Sequence, residues 1–257
     1  MTMSAASIND RVHNIDTLRQ ASLMRVWFVG VLIVCLEWGC SNPSPGPSQT
    51  VNLDVVPQPD IIAVGSAVTL IARDAASGAV VQPTWSSSNP SVAIVSSDQL
   101  RGLRPGLSTI GAVYHDSSLT FSVKVVPNYA GSYAGTIDII DCTDGVSPGF
   151  CRGKVPAGPD SMFARWSQTK DVVSGLLSLR VGDGQVQGSI GDDGAVSIAG
   201  TLLSAGKSVV TAIDSWNTVL NDAGTTLSGS FRMTIMRPDG SVDGVARAEI
   251  RGIERVP

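Results

Sequence analysis

Four cysteines and one pair of tryptophans are the residues whose types and spacing invite a chemical reading. Cys142 and Cys151 form a Cys-x8-Cys pair around Thr143-Asp144-Gly145-Val146-Ser147-Pro148-Gly149-Phe150. In an oxidising compartment that spacing predicts a disulfide closing a small loop. Chain entropy gives such a loop about 2.5–3 kcal/mol of stability. A metal site would want further Cys or His ligands nearby, and there are none. Downstream of Cys40 the chain has one histidine, His115, followed by Asp116, Ser117 and Ser118. Ser-His-Asp catalysis needs those groups to converge in a pocket. Here they sit in sequence across a turn, the usual place of solvated polar residues. Asp-Gly turns recur, but calcium needs six or more converging oxygens. No phosphate loop, zinc signature or dinucleotide motif occurs. The expectation is no catalytic residue, no metal and no cofactor. Trp166 and Trp216 are left as residues that either line a ligand cavity or fill a core.

Cys40 belongs to a different kind of chemistry. The run Met24-Arg25-Val26-Trp27-Phe28-Val29-Gly30-Val31-Leu32-Ile33-Val34-Cys35-Leu36-Glu37-Trp38-Gly39-Cys40 has one positive charge, then about ten apolar residues, then a small residue before the cysteine. That is the build of a secretory signal. The apolar run is short for a membrane span, which takes roughly 20 residues. Ser41–Gln49 follows, with no apolar side chain apart from proline. The stretch resembles a bacterial lipoprotein signal, although Glu37 and Trp38 replace the usual leucine and small residue. The resemblance implies cleavage before Cys40, a diacylglyceryl group on its sulfur, and membrane attachment through that lipid. Two acyl chains anchor where one would not. Ordinary cleavage with secretion, or an uncleaved anchor, are the alternatives. Met24-Arg25 would make a compact start, so translation is expected to begin at Met24. Residues 1–39 are leader and 40–50 a flexible linker.

About 215 residues remain after Cys40, enough for two small domains. The formal net charge of −4 argues against nucleic acid as a partner, which needs a basic face. Only 16% of residues are charged, and Ser, Thr and Gly abound, as suits an extracytoplasmic β protein.

Residues 51–127 alternate with period two between turn signals, which predicts short strands. They include Val51–Val55, Ala67–Ala72, Pro83–Ser86, Val92–Val95, Leu107–Tyr114 and Leu119–Val126. About seven strands with no amphipathic helix predict a β-sandwich. Trp85 is expected in its core. Val92 and Val95 cannot both face inward on a regular strand, so a bulge is expected near Ala93. Val64-Gly65-Ser66, Trp85-Ser86-Ser87-Ser88-Asn89-Pro90-Ser91-Val92-Ala93-Ile94-Val95, Gly106-Leu107-Ser108-Thr109-Ile110 and Val123-Lys124-Val125 resemble the bacterial immunoglobulin-like group 2 family. The turn after Val95 lacks the family's glycine. The resemblance implies an Ig-like sandwich that serves bacterial surface proteins as an adhesin or spacer module.

Residues 128–257 carry an internal repeat, apolar-x-Gly-x-apolar. It occurs at Tyr133–Ile137, Val173–Leu177, Val186–Ile190, Ile198–Leu202, Leu227–Phe231 and Val242–Ala246. Period two places both apolar residues and the glycine on one face. A recurring strand glycine marks strong bending or a close approach. Turn signals lie at Gly182-Asp183-Gly184, Gly191–Gly194, Asn221–Gly224 and Pro238-Asp239-Gly240. Two further strands fit near Met162–Gln168 and Val209–Asn217. Eight strands in an antiparallel meander predict a small β-barrel of lipocalin-like or avidin-like architecture, with an open curved sheet as the alternative. Such a barrel is either filled by side chains or holds one small ligand. The whole reads as an all-β, exported, lipid-anchored envelope protein. It has an Ig-like spacer or adhesive module and a C-terminal β domain, with a cell-surface protein or carbohydrate as the expected partner. Carriage of a small apolar ligand in the barrel is the alternative function.

Overall fold

The computed structural model describes residues 52–153, 155, 159–206 and 208–257. The signal run, Met24, Cys40 and the linker lie outside the described residues. Every regular element described is a β-strand.

The first nine strands build the sandwich. They are β1 (Leu53–Val56), β2 (Ile61–Ala63), β3 (Ala67–Thr69), β4 (Ile71–Asp74), β5 (Thr84–Ser87), β6 (Ala93–Ser96), β7 (Gln99–Gly102), β8 (Gly106–Tyr114) and β9 (Ser117–Val126). One sheet has the order β2-β9-β8-β5, another β3-β7-β6, and β1 pairs with β4. The core between them holds Leu53, Val55, Leu70, Leu100, Ile110, Val123 and Val125.

Three local expectations change. The run Ala67–Ala72 is two strands, because Leu70 turns its side chain into the core and donates its N–H to the Asp98 carbonyl (2.8 Å). The chain on either side then joins different partners, β7 and β1. No bulge is needed at Ala93. Val92 precedes the strand in a turn closed by its N–H on the Asn89 carbonyl (3.0 Å), so it can point inward independently of Val95. Trp85 is only half-buried against the core, and its indole N–H donates to Asp98 Oδ1 (2.7 Å). Asp98 and Ser97 form the turn that lacks glycine, at φ 61° and 49°. Aspartate tolerates that left-handed conformation. Its bonds to Trp85 and Leu70 hold it there and tie the two sheets together.

The other eight strands close a barrel: β10 (Gly131–Asp144), β11 (Asp160–Thr169), β12 (Val172–Leu179), β13 (Gly182–Ile190), β14 (Val196–Leu203), β15 (Val210–Leu220), β16 (Thr226–Met236) and β17 (Val242–Val256). Each pairs antiparallel with the next, and β10 with β17 shuts the ring. The antiparallel meander expected from the sequence is therefore a closed barrel, not an open sheet. One turn is displaced: Gly182 and Gly184 lie within β13, and the reversal is made by Arg180 and Val181. The repeated glycines mark where neighbouring backbones crowd. A Cβ on Gly188 would stand 1.8 Å from the Ser197 carbonyl oxygen on the adjacent strand. On Gly244 it would meet the Phe150 ring at 2.5 Å.

Both barrel ends are covered. At the far end the segment after β10 folds back through the Cys142–Cys151 disulfide, and Phe150 packs on the barrel core. The Asp144 carboxylate accepts the Gly149 and Cys151 N–H groups, each at 2.7 Å. Ser147 donates to Asp243 (2.5 Å), which also pairs with Arg237 (2.8 Å), pinning the loop to the β16–β17 turn. The near end meets the sandwich.

Candidate functional site

The end of β9 leads straight into the barrel. Val126 is buried in the barrel's own core cluster, and Ile61 packs against it. Tyr129 is fully buried, and its hydroxyl lies on the carbonyl oxygens of Gly194 (2.8 Å) and Thr218 (3.1 Å), spanning the barrel mouth. Burial pushes that phenol up to about 12. Gln168 grips the linker from β11: its Oε1 accepts the Tyr129 N–H (2.7 Å), and its Nε2 donates to the Pro127 carbonyl (3.1 Å). Two exposed ion pairs, Lys124–Asp192 (2.6 Å) and Lys170–Asp60 (2.7 Å), flank the junction. Their bonds to lysine hold both aspartates below the usual carboxylate range. Exposed pairs of this kind contribute little stability.

Inside the barrel the aromatic residues form a chain. Tyr133 and Trp166 lie 5.2 Å apart, Trp166 and Trp216 6.0 Å, and Trp216 stacks on Phe231 at 4.7 Å. Trp166 is 3% exposed and Trp216 1%. The Trp216 N–H donates to Thr218 Oγ1 (2.8 Å), while the buried Trp166 N–H has no acceptor among the described residues. Neither tryptophan lines any of the three depressions described on this structure.

His115 and Asp116 form the β8–β9 turn and Ser117 opens β9, with His115 at φ 50° and its ring edge-on to Tyr114 at 4.2 Å. The Ser117 hydroxyl accepts the Leu53 N–H (3.1 Å), so it tacks β1 to the turn. Histidine and serine thus serve the turn and do not converge in a pocket.

The depression that both modules build lies beside the junction. It has a volume of about 490 Å3 and is walled by Leu103, Arg104 and Pro105 from the sandwich and by Leu220 and the Asn221–Gly224 turn from the barrel. Pro127, Asn128 and Arg255 form its floor. Arg255 is half-buried, bonds through Nη2 to the Asn128 carbonyl and the Tyr133 hydroxyl (2.9 Å), and lies 5.4 Å from the centre of the Tyr133 ring. A longer, shallower furrow of about 780 Å3 crosses the outer barrel wall between Asn217, Ser228, Ser230, Glu249 and Arg251. Sequence reasoning singled out neither Arg104 nor Arg255. Each is one arginine among ordinary exposed positions, and 150 intervening residues separate them.

No family model matches the chain, and no curated protein matches it. Among solved structures it is similar to domains 5–6 of the S-layer protein SbsC, with 15% identity over 78% of this chain and 96% of that one. The TM-score is 0.27, and at that value the likeness supports no inference here.

Proposed function

We propose that this is an exported lipoprotein of the bacterial cell envelope, non-catalytic, in which the Ig-like sandwich is a spacer that presents the barrel. One observation carries the reading. The chain enters the sandwich at β1, where Leu53 bonds to Ser117 beside the β8–β9 turn. Strand β9 then runs ten residues from that pole to the barrel junction, about 33 Å at the rise of a strand. The first described strand therefore starts at the pole opposite the barrel. Core packing, the Tyr129 hydroxyl and the Gln168 clamp make the junction stiff, which is what a spacer requires. The Cys142–Cys151 bond supports an oxidising compartment.

Metabolic labelling with a radioactive fatty acid tests the anchor. The wild-type protein takes up label and the Cys40→Ser variant does not. An unlabelled wild type removes the lipid from the account.

A further inference from the structure

We infer that the cleft between sandwich and barrel binds a small monocarboxylate with an apolar body, its charge met by Arg255 at the floor and Arg104 at the rim. The inference is independent of whether Cys40 is acylated.

The argument starts from charge. Arg255 is withdrawn from water on one side, yet its contacts are all neutral: a carbonyl, a phenol and a ring face. No carboxylate of the described residues lies within ion-pair distance of it or of Arg104. A partly desolvated cation without a counter-charge favours an anion that comes to it, and the lowered local dielectric strengthens the attraction. Only Nη2 of Arg255 is engaged. Nε is sealed against Gly131, so Nη1 is the donor left for a ligand. With Nη1 of Arg255 as one donor and the Arg104 guanidinium on the same cleft as the other, each oxygen of a carboxylate can be met by a charged N–H.

The walls decide the rest of the ligand. Leu103, Pro105 and Leu220 are apolar, and about 490 Å3 lies in the range of small-molecule sites. Asp222 stands on the same rim and is exposed. Its charge opposes a dianion more than a monoanion, which favours a carboxylate over phosphate.

The test is a titration of the purified protein with 3-phenylpropionate, inorganic phosphate and the uncharged 3-phenylpropanamide, followed by backbone amide shifts. The acid should give saturable shifts at Leu103–Gly106 and Asn221–Gly224, with phosphate weaker and the amide inert. Arg104→Gln should weaken the acid about tenfold, the scale of one charge-assisted contact. Asp222→Asn should tighten it. Both residues are exposed, so both variants keep the fold, whereas Arg255→Lys also disturbs the junction and is secondary. Absence of saturable binding, an amide that binds as well as the acid, or an Arg104→Gln variant indistinguishable from wild type overturns the proposal.

Discussion

The rings of Trp166 and Trp216 meet edge to face inside the barrel, 6.0 Å between centroids, and only one of the two indole N–H groups has an acceptor among the described residues. The pair therefore contains one satisfied and one unsatisfied polar atom in the same core. A buried donor without a partner costs about 1–3 kcal/mol. Replacing Trp166 by Phe removes that cost while opening some space. Trp216→Phe opens similar space and also strips Thr218 of its donor. The expected order in urea unfolding is that Trp216→Phe loses more stability than Trp166→Phe, by about 1 kcal/mol. Equal losses, or the reverse order, contradict the assignment of these bonds.

The Gln168 clamp predicts a junction effect. Gln168→Ala leaves the Tyr129 N–H and the Pro127 carbonyl without their side-chain partner. The expected loss is about 1–3 kcal/mol, with faster amide exchange at Tyr129. A variant that melts like wild type with unchanged exchange shows that the linker holds itself.

Tyr129 gives a pH dependence with a definite sign. Burial raises its pKa from the ordinary 10 to about 12, so the folded chain holds the proton more tightly than the unfolded one. Its contribution is complete below pH 10 and is lost as pH rises from about 10 to about 12. Tyr133, also raised by burial, adds a fall of the same sign. The fall in unfolding free energy from pH 9 to pH 12 should be smaller for Tyr129→Phe than for wild type. An identical fall in both assigns the alkaline loss elsewhere.

Crowding between strands predicts intolerance at Gly188. A methyl there would overlap the Ser197 carbonyl oxygen, which belongs to backbone and cannot swing aside. Gly188→Ala should cost about 3 kcal/mol or more. Gln187→Ala, on the exposed face next to it, should stay within about 0.5 kcal/mol. Thermal melts of the two variants separate them.

Reducing the Cys142–Cys151 bond should lower stability by about 2.5–3 kcal/mol, the entropy of the loop it closes. The loop's other ties, Ser147 to Asp243 and Phe150 on Gly244, remain. The Cys142→Ser, Cys151→Ser double variant should therefore fold, with a lower denaturation midpoint in urea. An unchanged midpoint shows that those ties suffice alone.

Alternation and turn chemistry in the amino-acid order were enough to establish an all-β chain, the eight strands of the barrel, and the disulfide. These features are local: each depends on residues within about a dozen positions, where period-two patterning and Asp-Gly turns act directly. The splitting of Ala67–Ala72 was not legible, because it depends on Leu70 finding the Asp98 carbonyl across the sandwich. Neither was the partial exposure of Trp85, which the same aspartate holds by its indole. Barrel closure needed β10 to meet β17 from opposite ends of the module. The cleft that joins Arg104 to Arg255 exists only because Val126, Tyr129 and Gln168 dock one module on the other. Contacts between residues far apart in the chain carry no periodic signature. Tertiary packing and long-range hydrogen bonds decided them.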